Sequence, residues 1–178
     1  GRLNGWVGYT WSKTMRQFPD LNNGKEFASR WDRTHDLSVV ASYEYNKRWT
    51  FGATFTYQTG QAVTLPVNRY WIEGRLVSEY TERNGYRMAP YHRLDIAATL
   101  LNKETKKKKD LQTGVVTEVP RKYRSSWTFG VYNTYNRANP YFIYFANDGN
   151  LSTGDFKVVA KQVSLFGILP SVTWNFKF

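Results

Sequence analysis

Apolar and polar positions alternate with a period of two along much of the chain. The pattern is clearest in 36–46, where one set of alternate positions is apolar: Leu37, Val39, Ala41, Tyr43 and Tyr45. The intervening positions are polar except for Val40: Asp36, Ser38, Ser42, Glu44 and Asn46. Successive side chains of a strand point to opposite faces, so this pattern predicts a strand with one apolar and one polar face. It recurs over six predicted strands: 3–14, 36–46, 49–58, 92–100, 127–135 and 171–178.

The connections between these strands differ in length. Residues 46–48 form a predicted tight turn, whereas 15–33, 60–90 and 137–159 are long and contain Pro and Asn-Gly turn signals. Such long loops are unusual in a compact soluble domain but are expected on the outer side of a membrane barrel, whose inner turns are short. We therefore expect the long loops to follow the first, third and fifth strands. Within the last loop, 141–145 and 156–165 are predicted to pair as a hairpin extending beyond the membrane.

One connection departs from this alternation. Residues 102–122 should form a short inner turn but are longer and contain the run Lys106-Lys107-Lys108-Lys109. We interpret them as a basic insertion with a small hairpin through 113–119. The lysines form either a solvated turn, which we favour, or a site for the phosphate groups of lipid or nucleic acid.

Aromatic residues at the strand ends favour a membrane barrel over a soluble β-sandwich. Indole and phenol rings prefer the boundary between water and lipid. They end the apolar faces of most predicted strands: Tyr9 and Trp11, Tyr43 and Tyr45, Trp49 and Tyr57, Trp127 and Tyr135, and Trp174 and Phe178. The opposite faces are rich in Thr, Ser, Asn and Gly, as a wet lumen requires, and the strands are longer than is usual in globular sheets.

Composition narrows the function further. The chain has 178 residues, no Cys, two His and a net charge of +11, which excludes disulfide scaffolds and Cys-based zinc or nucleophile chemistry. A basic chain also suggests nucleic-acid binding. However, the aromatics share faces with Leu, Val and Ala while the basic residues lie mostly in turns, so we expect no nucleic-acid partner.

We predict no catalytic, cofactor or metal site. His35 and Asp36 lie beside Asp32 and Arg33, but no ordered nucleophile and base accompany them. We interpret these residues as charges at the strand rim that stabilise the loop through ion pairs. His92, Arg93 and Asp95 are interpreted in the same way, with Arg93 and Asp95 on one face as members of a lumen charge network. The two His are too far apart in sequence to indicate a metal site.

Several short motifs resemble the last strands of TonB-dependent outer-membrane transporters, of the SusC-like type found in Bacteroidota. They occur in the same order along nearly the whole chain: 9–13, 30–36, 51–53, 59–60, 91–95, 132–141 and 169–178. The resemblance implies a plugged barrel of about 22 strands, of which residues 1–178 are the C-terminal part. The Lys106–Lys109 insertion is the main departure from the family, and the family's plug and TonB-contacting segment match nothing in this sequence.

The resemblance also implies a function and partners. It predicts import of a large or scarce nutrient across the outer membrane with energy delivered through TonB; glycans, peptides and iron chelates all remain open as substrates. Its implied partners are the rest of the barrel and plug, TonB, a surface substrate-binding lipoprotein, the lipid bilayer and the barrel-assembly machinery. The alternatives are a small outer-membrane barrel with an adhesive or structural role, or a client held by the assembly machinery.

Two sets of residues are candidate functional positions. The second long loop contains aromatic residues that either stack on a substrate or pack the loop on itself, and we favour packing: Tyr70, Trp71, Tyr80 and Tyr86. The last strand ends in alternating residues of the kind that the assembly machinery reads in this family: Val172, Trp174, Phe176 and Phe178.

The strand pattern predicts which residues face lipid and how the sheet ends. We expect one set to face lipid: Leu37, Val39, Phe51, Phe55, Ile96, Val131 and Trp174. We expect another to face the interior: Ser38, Thr54, Asp95 and Thr173. Six strands with polar inward residues cannot close a filled barrel, because single-chain barrels have at least about 8 strands. The first and last strands should therefore keep edges that meet strands of the missing barrel region or of another protein.

Overall fold

Strands make up almost all of the regular structure in the computed structural model of the protein, which describes residues 1–66, 68–80, 82–109, 114–150 and 155–177. The first eight are β1 Leu3–Trp11, β2 Met15–Arg16, β3 Phe27–Ala28, β4 His35–Glu44, β5 Trp49–Gln58, β6 Ala62–Val63, β7 Asn68–Ile72 and β8 Arg75–Glu79. The others are β9 Tyr86–Arg87, β10 Tyr91–Leu101, β11 Thr105–Lys109, β12 Val116–Pro120, β13 Arg124–Tyr132, β14 Phe142–Asn150, β15 Asp155–Val163 and β16 Leu169–Lys177. Among the described residues, the one helical element is the 3₁₀ turn Asn22–Gly24, and no helix is long and apolar enough to cross a membrane.

Six long strands form one antiparallel sheet in the order β1-β4-β5-β10-β13-β16. Each pairs with the long strand before it, so the sheet is an up-and-down meander, and all six strands predicted from the alternation are confirmed. The fifth strand ends earlier than predicted, at Tyr132. The reason is Asn133, whose φ of 52° turns the chain out of the extended conformation.

The strand register sorts the apolar and polar residues onto opposite faces. Val39 pairs with Phe55, which pairs with Leu94 on its other side, so side chains of one kind line up across the sheet. The polar face carries a row of four threonines, Thr50, Thr99, Thr128 and Thr173, in register on consecutive strands. The hydroxyl groups of Thr99 and Thr128 lie 3.0 Å apart. The residues expected to face lipid and those expected to face the interior therefore lie on opposite faces of the sheet.

Both edges of this sheet are open. In the described part of the chain, β1 pairs with β4 alone and β16 pairs with β13 alone. The six strands thus do not close into a barrel, which agrees with the expectation from strand number.

The apolar face of the sheet is uncovered. The chain exposes 13392 Å², whereas a compact monomer of 20.8 kDa exposes about 8,900 Å². Large apolar side chains on this face are exposed, including Val172 at 62% and Trp174 at 44%. By contrast, the apolar side chains that are buried among the described residues lie in the loops: Phe27, Ala62 and Met88. The only packed core that the described residues form is therefore beyond one end of the sheet.

The long connections follow β1, β5 and β13 and so lie together at one end of the meander, as predicted. We call this the loop end, and the end with connections 45–48 and 102–123 the turn end. The first two long loops carry the small pairs β2–β3, β6–β9 and β7–β8. The third carries the hairpin β14–β15, which confirms the predicted pairing of 141–145 with 156–165.

The lysine run is a strand rather than a turn. Residues Thr105–Lys109 form β11, which pairs with Val116–Pro120 in β12, so the hairpin includes the lysines and is larger than the 113–119 segment predicted. Thr113 lies outside the described residues. The backbone partners of Lys107 and Lys109 are Glu118 and Val116.

Candidate ligand-binding cleft

An ion pair between a buried carboxylate and a partly exposed guanidinium joins the first two long loops. Asp32, whose side chain is 2% exposed, accepts a 2.6 Å hydrogen bond from Arg87 Nη2 through Oδ2 and one of 2.6 Å from the Thr14 backbone N–H through Oδ1. The Arg87 Nη1 group also donates to the carbonyl oxygens of Asp32 and Gly60, at 3.2 and 3.0 Å. The ion-pair partner of Asp32 is thus Arg87 from the next loop.

The same contacts set the protonation state of Asp32. Burial by itself raises the pKa of this carboxyl, but the Thr14 N–H and the Arg87 guanidinium outweigh burial and hold the pKa below its ordinary value. The folded pKa is thus lower than the unfolded one. The stabilisation is fully present above the unfolded pKa of about 4 and is lost as the pH falls through the lower, folded pKa.

We therefore expect the loop end to open in acid. In the intact protein, hydrogen-exchange protection of residues 14–32 should be constant from pH 7 to about pH 5 and should fall below about pH 4. An Asp32→Asn variant, which has no carboxylate to titrate, should lack this step. A step of equal size in that variant would assign the pH dependence to another group.

Two asparagines fix the second loop against the first. Asn22 accepts a 2.7 Å bond from the Arg83 backbone N–H and donates at 3.3 Å to the Arg83 carbonyl oxygen. Asn84 donates to the Ala28 carbonyl oxygen at 2.9 Å, and its own backbone N–H donates to Thr64 Oγ1 at 2.9 Å. Both asparagines have positive φ, 51° for Asn22 and 55° for Asn84. These contacts hold the backbone on both sides of Arg83 in place.

A cleft of about 680 Å³ lies between the three long loops. One wall is the first loop around Arg16, Phe27 and Arg30, and the other is the second loop, which contributes the buried Ala62 and the exposed Arg83. The start of β14 contributes Tyr141, Phe142 and Ile143. A neighbouring cavity of about 580 Å³ shares part of this lining and continues towards β10, reaching Arg33 and Tyr91.

The cleft is positively charged. Four arginines line the two cavities, namely Arg16, Arg30, Arg33 and Arg83, and no Asp or Glu lines either of them. Arg33 is anchored, because its Nη1 donates to the Thr59 carbonyl oxygen at 2.6 Å, and burial lowers its pKa without removing its charge. The guanidinium groups of Arg16, Arg30 and Arg83 make no hydrogen bond or ion pair with the described residues. All three residues are exposed and line the cleft.

Aromatic side chains line the same space. Trp31 is 68% exposed and Tyr141 is 56% exposed, and Phe18 and Phe142 are also open to solvent. The guanidinium carbon of Arg30 lies 5.6 Å from the centre of the Trp31 ring, a cation–π geometry that leaves the edge of the guanidinium free to donate. The cleft therefore combines apolar ring surface with unpaired positive charge.

The aromatics predicted in the second loop are not part of this cleft. Tyr70 and Tyr86 are exposed and line neither cavity. Tyr80 lines a separate cavity of about 470 Å³ together with Asp20, Glu82 and Arg83. The side chain of Trp71 lies outside the described residues.

The predicted charge network on the polar face is present at the loop end of β10. Arg93 pairs with Asp95 at 2.9 Å, and its Nη1 donates to the hydroxyl oxygens of Tyr91 at 2.8 Å and Tyr132 at 2.6 Å. Asp95 Oδ1 accepts the backbone N–H of Asn133, which is completely buried. This network fixes the end of β13 against β10.

The two histidines act separately. His35 Nδ1 lies 2.8 Å from the Tyr9 hydroxyl, and His92 Nδ1 lies 2.8 Å from the Tyr135 hydroxyl. Asp36 accepts a bond from Gln58 at 2.8 Å. Within the described ranges, no group of three or more His, Asp or Glu side chains could hold a metal ion.

No protein-family model, curated protein or solved structure matches the chain. Evidence for function therefore comes from the chemistry of the cleft and of the sheet.

The last strand places its apolar residues on the uncovered face. Val172 pairs with Phe129 and Trp174 with Trp127, and Phe176 follows two residues later on the same face. Phe178 lies outside the described residues.

Proposed function

We propose that this chain is the C-terminal, six-strand part of a TonB-dependent outer-membrane transporter that imports a nutrient through a plugged barrel of about 22 strands. The observation that carries the proposal is the open meander with an uncovered apolar face. Exposed apolar surface costs about 25 cal/mol per Å² in water, whereas hydrocarbon is its preferred surroundings. A sheet that is apolar on one side and polar on the other suits a wall between lipid and a wet lumen.

Aromatic rings at both ends of the apolar face support a membrane location. At the turn end, Trp127 and Trp174 lie 6.1 Å apart and Trp49 stacks on Phe51 at 6.1 Å. At the loop end, Tyr57 stacks on His92 at 6.3 Å. Tyr57 is eight positions after Trp49, about 27 Å along the strand. At a tilt of about 40° this spans about 21 Å, close to the apolar band of about 25 Å in membrane barrels.

The open edges support a larger assembly. Unpaired backbone N–H and C=O groups cost several kcal/mol each in hydrocarbon, so β1 and β16 each require a neighbouring strand there. The remaining strands of the same barrel are the proposed neighbours, with the plug in the lumen, TonB on the periplasmic side and a surface lipoprotein over the loop end. A strand of the barrel-assembly machinery takes one edge while the barrel is being built.

The polar face supports a wet interior. It carries the threonine row and the Arg93–Asp95 pair, groups that hydrogen-bond to water or to a plug. The long loops lie together at the loop end, which in this proposal is the cell surface. A small barrel with an adhesive role, the second candidate, would share the loop arrangement but would need no plug and no TonB.

Deletion strains distinguish these functions. The gene for the full-length protein and the gene for TonB should be deleted separately in the native host, and growth compared on a panel of carbon, nitrogen and iron sources. We expect both strains to lose growth on the same source, and the full-length protein to fractionate with the outer membrane. Unchanged growth with loss of surface adhesion would favour the adhesive barrel, and a soluble protein would contradict both candidates.

The chain terminus provides a further prediction. Deleting Phe178 should lower the amount of protein assembled in the outer membrane severalfold, because the deletion shortens the alternating aromatic strand that the assembly machinery is proposed to read. The unfolding midpoint of barrels that do assemble should change little. Immunoblots of membrane fractions measure the first quantity and heat-dependent gel mobility the second. A Lys177→Gln variant, which changes a neighbour but keeps the terminal ring, should assemble normally.

A further inference from the structure

We propose that the cleft at the loop end binds a small multivalent anion, one that carries at least two carboxylate or phosphate groups on a scaffold with ring surface. This inference names the substrate class of the proposed transporter and rests on that proposed function. The cleft volume of about 680 Å³ lies within the range of small-molecule sites, about 300 to 1,000 Å³. It is larger than a single carboxylate or phosphate requires.

The positive charge of the cleft favours an anionic ligand over a neutral one. No carboxylate lines the cleft beside Arg16, Arg30 and Arg83, although Asp20 and Glu82 line a separate cavity together with Arg83. Asp32, which is two residues from Arg30, is already paired with Arg87. An anionic ligand would supply the missing charge, and guanidinium forks bind carboxylate and phosphate with two parallel hydrogen bonds.

The walls of the cleft are held in place before any ligand binds. Asn22 fixes the Arg83 backbone through both its amide donor and its amide acceptor. On the same wall, the carbonyl oxygen of Met88 lies so close to Gly60 that a Cβ there would overlap it, so the second loop packs without a gap at this point. Because these walls are ordered before binding, the ligand loses less affinity to the entropy cost of ordering the loops.

The aromatic side chains define the rest of the ligand. Trp31 and Tyr141 are more than half exposed, although large apolar side chains in water are costly unless something covers them. Their faces suit the flat apolar side of a sugar or inositol ring, and the amide of Gln61 lies in both cavity linings to bond ring hydroxyls. An acidic oligosaccharide or a phosphorylated polyol satisfies all of these features.

Calorimetry on the full-length protein, purified from membranes in detergent, tests the inference. Three probes separate the sources of charge: trigalacturonate for carboxylate, inositol hexakisphosphate for phosphate, and the methyl ester of trigalacturonate as a neutral match. We expect one or both anions to bind and the ester to bind at least tenfold more weakly. Raising NaCl from 50 to 500 mM should weaken anion binding at least tenfold, because salt screens exposed charges.

Matched variants assign the binding to the cleft. Arg16→Gln and Arg83→Gln should each raise the Kd at least tenfold, which equals about 1.4 kcal/mol. Arg75→Gln makes the same charge change in the second loop, where Arg75 begins β8 outside both cavities, and should leave the Kd within twofold. Equal thermal transitions of the three variants verify folding, and Arg16→Lys should recover part of the affinity.

Three results would overturn the inference: no binding of either anion, equal binding of the ester, or an equal effect of Arg75→Gln. None of these results bears on membrane location or TonB dependence, which the deletion strains measure separately. A TonB-dependent transporter that fails the binding test would keep the proposed function and lose this substrate class.

Discussion

Replacing Asp32 with Ala should lower the free energy of unfolding of the loop end by about 2 kcal/mol, because it removes a buried carboxylate that accepts two hydrogen bonds. The substitution leaves the Thr14 backbone N–H without its acceptor and Arg87 without its carboxylate, in a place where water does not replace them fully. Arg87 keeps its bonds to two carbonyl oxygens and is partly exposed, which limits the loss. Hydrogen exchange of residues 14–32 and 60–88 in the full-length protein measures the effect.

The exposed pair of Glu104 and Arg124 is the matched control. Its atoms lie 3.1 Å apart, but both side chains are at least 70% exposed. Replacing Glu104 with Ala should therefore cost less than about 1 kcal/mol. Equal losses in the two variants would show that burial does not strengthen the Asp32 pair, and would remove the argument that this contact organises the loop end.

Replacing Phe55 with Lys should cost about 2 to 4 kcal/mol if this position lies near the bilayer midplane. Phe55 lies between Val39 and Leu94 in the register of the apolar face, six positions after Trp49 of the turn-end aromatic row and two before Tyr57 of the loop-end row. A charge at this depth would lose its hydration. We expect a severalfold fall in the level of the full-length protein in outer-membrane fractions, together with a lower urea midpoint after refolding into vesicles.

Thr54 provides the control on the opposite face. Its backbone partner is Asp95, so a lysine there would place its ammonium group near a carboxylate on the polar side of the sheet. Replacing Thr54 with Lys should leave outer-membrane levels close to normal. If Thr54→Lys were the more damaging of the two, the apolar face would be packed in a protein core, and the proposed membrane wall would be wrong.

The sheet was predictable because its two faces differ so strongly. Each long strand repeats the contrast between apolar and polar positions over about ten residues, and that contrast predicts strand position and facing without any knowledge of neighbours. The small pairs β2–β3 and β6–β9 have two residues a strand and carry no such repeat. These pairs are formed by backbone hydrogen bonds and loop packing, and neither can be predicted from the residue composition.

The cleft was not predictable from the same pattern. Arg16, Arg30 and Arg83 are scattered along two loops and look like ordinary solvated charges until the loops meet. The residues that join the loops are Asn22 and Asn84, but in the sequence they indicate only turns, because they lie at or next to Asn-Gly steps. Their side chains form hydrogen bonds between the two loops, and local sequence patterns do not predict such long-range contacts. Likewise, the partner of Asp32 is separated from it by 55 residues.

The meander order has a consequence for folding kinetics. Every long strand pairs with its predecessor, but only β4 and β5 are joined by a tight turn, residues 45–48, where Asn46 Oδ1 accepts the backbone N–H groups of Arg48 and Trp49. Closing this loop costs about 2 kcal/mol less entropy than closing the connection 133–168 between β13 and β16. The β4–β5 hairpin should therefore nucleate the sheet within microseconds. Strands β10, β13 and β16 would then add in sequence, each waiting for its own loop to close.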